Sequence, residues 1–135
     1  MIDHLSTYTT HYDAAVAFYD ACLGALGYER VVKGMVATWD AEFPTRRMCA
    51  YGPKGKPVLW LAEVKKAPST GHTAFAAKDR QGVHDFFEAA LKAGGKDNGG
   101  PGPRDQYHPT YYGAFVLDPD GNNVEAVFHG KGETP

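Results

Sequence analysis

Apolar side chains recur along this chain with two different periods. Around the stretch DFFEAALKAGG, Asp85 to Gly95, the residues Val83, Phe86, Phe87, Ala90, Leu91 and Gly94 fall on the i, i+3, i+4, i+7, i+8 stripe of a one-sided helix. An earlier stretch, AFYDACLGALG from Ala17 to Gly27, carries the same stripe as Ala15, Phe18, Tyr19, Cys22, Leu23 and Leu26. The copies lie 68 residues apart and agree at five of eleven aligned positions. Both run into glycine, Gly27 and Gly94-Gly95, which suits a left-handed helix stop, and Asp13 and Asp79 stand near the two N-termini, where a carboxylate accepts backbone donors.

The other period is two. DHLSTYTT and GHTAFAA alternate as short strands entering the two helices. After the first helix, β-type runs are expected at 28–33, 35–39, 48–51 and 58–64; after the second, near Lys96 and at 112–117 and 123–129. The turn Asp118-Pro119-Asp120-Gly121 predicts a hairpin joining the last two. The expected fold is therefore α+β: two paired βαβββ modules related by a pseudo-twofold axis, forming a concave mixed sheet around a cleft with the helices outside. A module of this size exposes much of its sheet alone, so one domain over 1–135 is expected, with modules 1–66 and 69–135 joined near 65–70.

Composition narrows the function classes. Fourteen basic residues face 16 acidic ones for a formal charge of -2, without a basic run longer than two, so neither nucleic acid nor an anionic membrane is expected as a partner. No segment has the length and apolarity of a membrane span or signal peptide, and the expected location is the cytoplasm. Cys22 and Cys49 lack metal or redox spacing and read as reduced core residues.

Carried backwards, the offset of 68 pairs His4 with His72. Side chains alternate along a strand, so Ile2, His4, Ser6 and Tyr8 share one face and His72, Ala74 and Ala76 share its counterpart. The last strand adds Glu125, a carboxyl group between Val124 and Ala126 that needs a partner. Two histidines and one carboxylate on strands form a set able to bind a divalent metal facially with open coordination positions. The competing interpretation is that each histidine is an ordinary hydrogen-bonded strand residue.

Through DHLSTYTTHYDAAVAFYDACLGALGY, GHTAFAA and FVLDPDGNNVEAV, the chain resembles the vicinal oxygen chelate superfamily, which includes glyoxalase I, fosfomycin and bleomycin resistance proteins and extradiol dioxygenases. The resemblance implies a metal site at His4, His72 and Glu125 for Fe, Mn, Zn or Ni, a homodimer, and a site shared between subunits. It leaves the fourth ligand position at Leu59 or Trp60, neither of which binds metal, which disfavours glyoxalase I itself. The tyrosine that the dioxygenases carry on the penultimate strand falls at Phe115.

RDQYHPTYYGAF places Arg104, Tyr107, His108, Tyr111 and Tyr112 ahead of the penultimate strand. Trp60, Arg104, Tyr107 and Tyr112 are candidate substrate-binding residues, and His108 and Tyr111 candidate catalytic ones. KDNGGPGPRD is expected to be a flexible connector, with a mobile lid as the alternative. His11, His84 and His129 are not expected to be ligands. Two functions follow: a divalent-metal-dependent lyase or dioxygenase acting on a small oxygenated substrate, or a metal-free protein that binds or sequesters a small molecule in the manner of bleomycin resistance proteins.

Overall fold

The computed structural model describes residues 2–130. The elements in order are β1 (Leu5–Thr9), α1 (Tyr12–Ala25), β2 (Glu29–Val36), β3 (Arg47–Gly52), β4 (Leu59–Glu63), β5 (His72–Ala76), α2 (Arg80–Lys92), β6 (Lys96–Asp97), β7 (Gly102–Pro103), β8 (Tyr111–Leu117) and β9 (Asn123–His129). Two mixed sheets result. The first has the order β1-β4-β3-β2; the second has the order β5-β9-β8-β6, with β7 also paired to β8. In each, the strand preceding the helix runs parallel to the last strand of its half, β1 along β4 and β5 along β9. The duplicated pattern is thus a duplicated topology, with the strands divided between two sheets.

The helices pack on each other as well as on their own sheets. Ala15, Phe18, Tyr19, Cys22 and Leu23 of α1 meet Phe86 and Ala90 of α2, Cys49, Tyr51, Leu59 and Leu61 of the first sheet, and Val116, Val124 and Ala126 of the second. Each sheet therefore has one face covered by helices and one open face. Gly95, after α2, fits this junction only without a side chain, because a Cβ there would lie 2.6 Å from Phe18 Cε2 and 2.8 Å from the Ala90 carbonyl oxygen.

Two expected runs, 28–33 and 35–39, merge into the single strand β2. Register shifts between Arg30 and Val32 and between Val32 and Met35 interrupt its alternation, which is why the sequence reads as two pieces. The glycine-rich segment after α2, expected as a flexible connector, contributes β6 and β7 to the edge of β8. Proline is tolerated there because the edge strand needs only some of its donors. Asp79 caps α2 by accepting from Gly82 N–H at 2.7 Å, whereas α1 starts at His11 without a side-chain cap and Asp13 instead pairs with Arg47. Cys22 and Cys49 are buried and free. Among the described residues no helix is long and apolar enough to cross a membrane.

The Asp118-Pro119-Asp120-Gly121 turn joins the halves. Asp118 accepts from Tyr19 Oη at 2.7 Å, from the backbone N–H groups of Asp120 and Asn122, and from Asn122 Nδ2. Asp120 Oδ1 accepts from the backbone N–H and hydroxyl of Thr10, at the start of α1, and Asn122 Oδ1 accepts from Gly71 N–H, just before β5. Tyr19→Phe deletes one buried bond to a carboxylate and leaves its acceptor short, so it is expected to lower unfolding free energy by about 1–3 kcal/mol in urea denaturation. Burial alone would raise the Asp120 carboxyl, but bonds from Thr9, Thr10 and His11 outweigh it and hold it below its ordinary value. A carboxyl depressed on folding stabilises the fold above its unfolded value and loses that contribution as pH falls through the folded one. Asp120→Asn is accordingly expected to flatten the loss of stability below about pH 4, measured as melting temperature against pH.

Candidate functional site

The open face of the second sheet is set by strand register. Glu125 lies opposite Phe115 on β8 and Ala74 on β5, so these three share a face, with His72, Asn123 and Leu117 in the next row and Tyr111 and His129 at the far end. Val124 and Ala126, the neighbours of Glu125, turn to the helices. The carboxyl group is nevertheless only 1% exposed. Space for it comes from a missing side chain: a Cβ on Gly113 would lie 3.2 Å from Glu125 Oε2.

Both oxygens of Glu125 are engaged. Tyr111 donates its hydroxyl to Oε2 in a short bond, and His72 Nε2 lies 3.0 Å from Oε1. Burial, then the bond to Glu125 and its charge, push the Tyr111 phenol well above its ordinary range. Tyr111 therefore stays protonated as a donor at neutral pH. The other ring nitrogen of His72, Nδ1, lies 3.1 Å from the Asn123 carbonyl oxygen, which only accepts, so Nδ1 carries a proton. With Nδ1 held in this way, the ring turns Nε2 toward Glu125 Oε1. His72, Glu125 and Tyr111 thus form one connected polar cluster on an otherwise apolar face, able to orient a hydrogen-bonding group of a bound molecule.

The remaining candidates are scattered. His4 precedes β1, belongs with the first sheet, and pairs through Nδ1 with Asp3 at 2.7 Å. Trp60 lies on the open face of the first sheet, opposite Ser6 and Ala50. The offset of 68 makes Ser6 the counterpart of Ala74, so the pairs Ser6–Trp60 and Ala74–Glu125 identify Trp60, not Leu59, as the counterpart of Glu125. Leu59 is buried against the helices. Tyr107 is exposed and edge-on to Tyr111, with ring centroids 5.2 Å apart. Tyr112 faces the helix side, where its hydroxyl lies 2.7 Å from His84 Nε2 and Arg80 covers its ring. His108 is tied within its own loop to Thr110. Arg104 is bonded to backbone carbonyls.

Phe115, Asn123 and His129 were absent from the candidate set although they line the same face as Glu125. The signal that finds them is register: once the turn after Leu117 fixes the hairpin, alternation puts Phe115 across from Glu125 and Tyr111 across from His129. Among the described residues no group of three or more His, Cys, Asp or Glu side chains converges as a metal would require. Of the expected set, His72 and Glu125 adjoin and His4 does not reach them, so one chain does not supply a facial triad.

Two mixed βαβββ sheets, each with one open face, and a buried carboxyl bonded to a strand histidine on one of them define a protein of the vicinal oxygen chelate fold. The chain belongs to the Glyoxalase/Bleomycin resistance protein/Dioxygenase superfamily, which it matches over residues 1–126. It is 30% identical over 127 residues to the uncharacterized protein PA2024 of Pseudomonas aeruginosa, covering 92% of this chain and 85% of that one. Its structure is similar to that of a glyoxalase/bleomycin resistance protein from Albidiferax ferrireducens, with a TM-score of 0.69 and 25% identity over 96% of this chain and 98% of that one. Glyoxalase I from Zea mays shares the fold, with a TM-score of 0.68 and 21% identity over 99% of this chain and 46% of that one.

If Glu125 is retained for its site and not for the fold, replacing it should cost little. His72 is half exposed and Tyr111 partly so, which lets both return to water when the carboxyl is removed. Glu125→Leu is expected to change stability by no more than about 1 kcal/mol, or to raise it. A loss beyond about 2 kcal/mol in thermal or urea unfolding would assign Glu125 a structural role.

Proposed function

We propose that this protein binds a small planar molecule on the open face of the second sheet, with Glu125, His72 and Tyr111 as the polar anchor and Phe115 and Tyr107 as aromatic walls. The observation that carries the reading is the state of Glu125, whose oxygens are both taken by hydrogen-bonding side chains of the same chain. Such a set is complete without a metal. It is also suited to holding a hydrogen-bonding group at the end of a flat, half-apolar surface. Among the described residues, the guanidinium beside Phe115, that of Arg104, is committed to carbonyl oxygens and is not offered to an anionic ligand. An uncharged or cationic ring bearing a hydroxyl or amino group fits this chemistry, and binding or sequestration in the bleomycin-resistance manner is the corresponding role.

A second reading, a metal-dependent lyase or dioxygenase acting on a small oxygenated substrate, is favoured by one feature of His72. Its Nδ1–H is held by the Asn123 carbonyl, and this orients Nε2 as metal-ligating histidines are oriented by their outer partners. His4 of a second copy would then have to complete the set with His72 and Glu125.

Thermal melts of the purified protein against single-ring phenols and aromatic amines, alongside metal analysis of protein prepared without chelator, separate these readings. The first predicts a rise in melting temperature with at least one probe class, lost in Glu125→Gln, and no stoichiometric metal. Stoichiometric metal that disappears in both His72→Ala and His4→Ala, in a protein that sediments as a dimer, would replace it with the second.

A further inference from the structure

The segment from Asp97 to Arg104 lies along the outer edge of β8 as a strap. Asn98 N–H donates to the Phe115 carbonyl at 3.0 Å, Phe115 N–H to the Gly99 carbonyl at 2.8 Å, and Arg104 N–H to the Tyr111 carbonyl at 2.8 Å. One guanidinium gathers it: Arg104 Nη2 donates to the Gly100 carbonyl at 2.7 Å, and Nη1 donates to those of Gly102 at 3.0 Å and Pro103 at 3.2 Å. The same guanidinium stands over the Phe115 ring, 5.3 Å from its centroid. Phe115 in turn stacks with His72, the ring centroids 6.2 Å apart and the planes inclined by 26°.

Glycine makes this close approach possible. A Cβ at Gly99, whose φ is +140°, would lie 3.3 Å from both Phe115 Cδ2 and Arg104 Nη2, and one at Gly102 would lie 3.3 Å from Arg104 Nη1. The strap's composition therefore serves contact with Phe115 and Arg104, and its carbonyls point where one planar fork can take three of them.

We propose that Arg104 is a positioning residue for His72, acting through Phe115. His72 lies on the edge strand β5 with about half of its side chain in solvent, so its two hydrogen bonds alone leave one flank of the ring unsupported. Phe115 supplies that flank. Phe115 is itself only partly buried and is held against His72 by the guanidinium and by the glycine backbone passing over it. Arg104 thereby fixes the imidazole with Nε2 toward Glu125 and reduces what a ligand must order on binding. The consequence for binding rests on the reading of this face as the ligand site; the positioning itself does not.

The test is histidine side-chain NMR on ring-labelled protein, with the His72 signals assigned by their loss in His72→Gln. The parent protein is expected to show one set of His72 ring protons displaced upfield by the Phe115 ring. Arg104→Ala and Phe115→Leu should both abolish that displacement. Arg104→Lys, which keeps the charge but not the planar fork, should fail to restore it, and it serves as the measured variant should the alanine protein not fold. A merely structural role for Arg104 predicts faster amide exchange at Asn98 and Phe115 and a lower melting temperature with the His72 signals unmoved, and this result overturns the proposal, as does full recovery of the signals in Arg104→Lys. If phenol or amine probes bind the parent protein, Arg104→Ala and Phe115→Leu should weaken them to a similar extent. If no probe binds the parent protein, the ligand-site reading fails while the His72 signals still decide the positioning.

Discussion

The arrangement of this protein depends on one buried carboxyl group, that of Asp118. Each half, on its own, is a short sheet with a helix on one side, and nothing in the repeated pattern fixes how the halves sit together. Apolar packing of α1 on α2 is strong but poorly directional. Asp118 adds direction by taking the Tyr19 hydroxyl from the first half while organising the turn of the second. From that turn, Asp120 reaches the entrance of α1 and Asn122 holds Gly71, so the start of β5 is fixed relative to β9. The His72–Glu125 contact lies across those two strands. The position of the candidate site is thus set by a hydrogen-bond hub on the covered side of the molecule, while its chemistry faces the open side.

Around Glu125 the sheet is built to admit a polar group. The open face carries Ala74 and Ala76 on β5 and Gly113 on β8, small residues that leave room for the carboxyl. The covered face of the same strands is packed with Val116, Val124 and Ala126. An isolated carboxyl at this depth would be expensive, and the bonds from Tyr111 and His72 remove most of that cost without contributing to the core.

Much of this was legible in the sequence because duplication doubled the signal. The helical stripes, repeated at a fixed offset, located both helices and most of their buried faces, although Leu91 of the second stripe is exposed, and the same offset drew His4 and His72 out of six histidines. The hairpin turn and the apolar setting of Glu125 were equally clear. What escaped had local physical causes. The bulges in β2 break strict alternation, so one strand read as two. The strap carries glycine and proline for contact and edge reasons, and composition alone cannot separate those from flexibility. Tyr111 and Tyr112 are adjacent and alike, and only register tells that one meets Glu125 while the other turns to His84. The offset relates His4 to His72 in sequence, but a symmetry relation is not a contact.

That last distinction bears on how such a fold acquires a function. Superposing the halves by their register sets Trp60 on Glu125 and Ala50 on Phe115. Duplication therefore preserved strand order, helix packing and the histidine positions, whereas the central pair on each open face diverged completely. On the first sheet that pair is tryptophan with alanine, an apolar surface. On the second it is a buried carboxyl beside a phenylalanine, with a tyrosine and a histidine bonded to the carboxyl. The shared strand order and helix packing are those a strand edge or a core requires, whereas the halves differ in the central pairs on their open faces. In a chain made of two like halves, chemistry is best sought at the positions where topology is equal and side chains are not, and here those positions converge on Glu125.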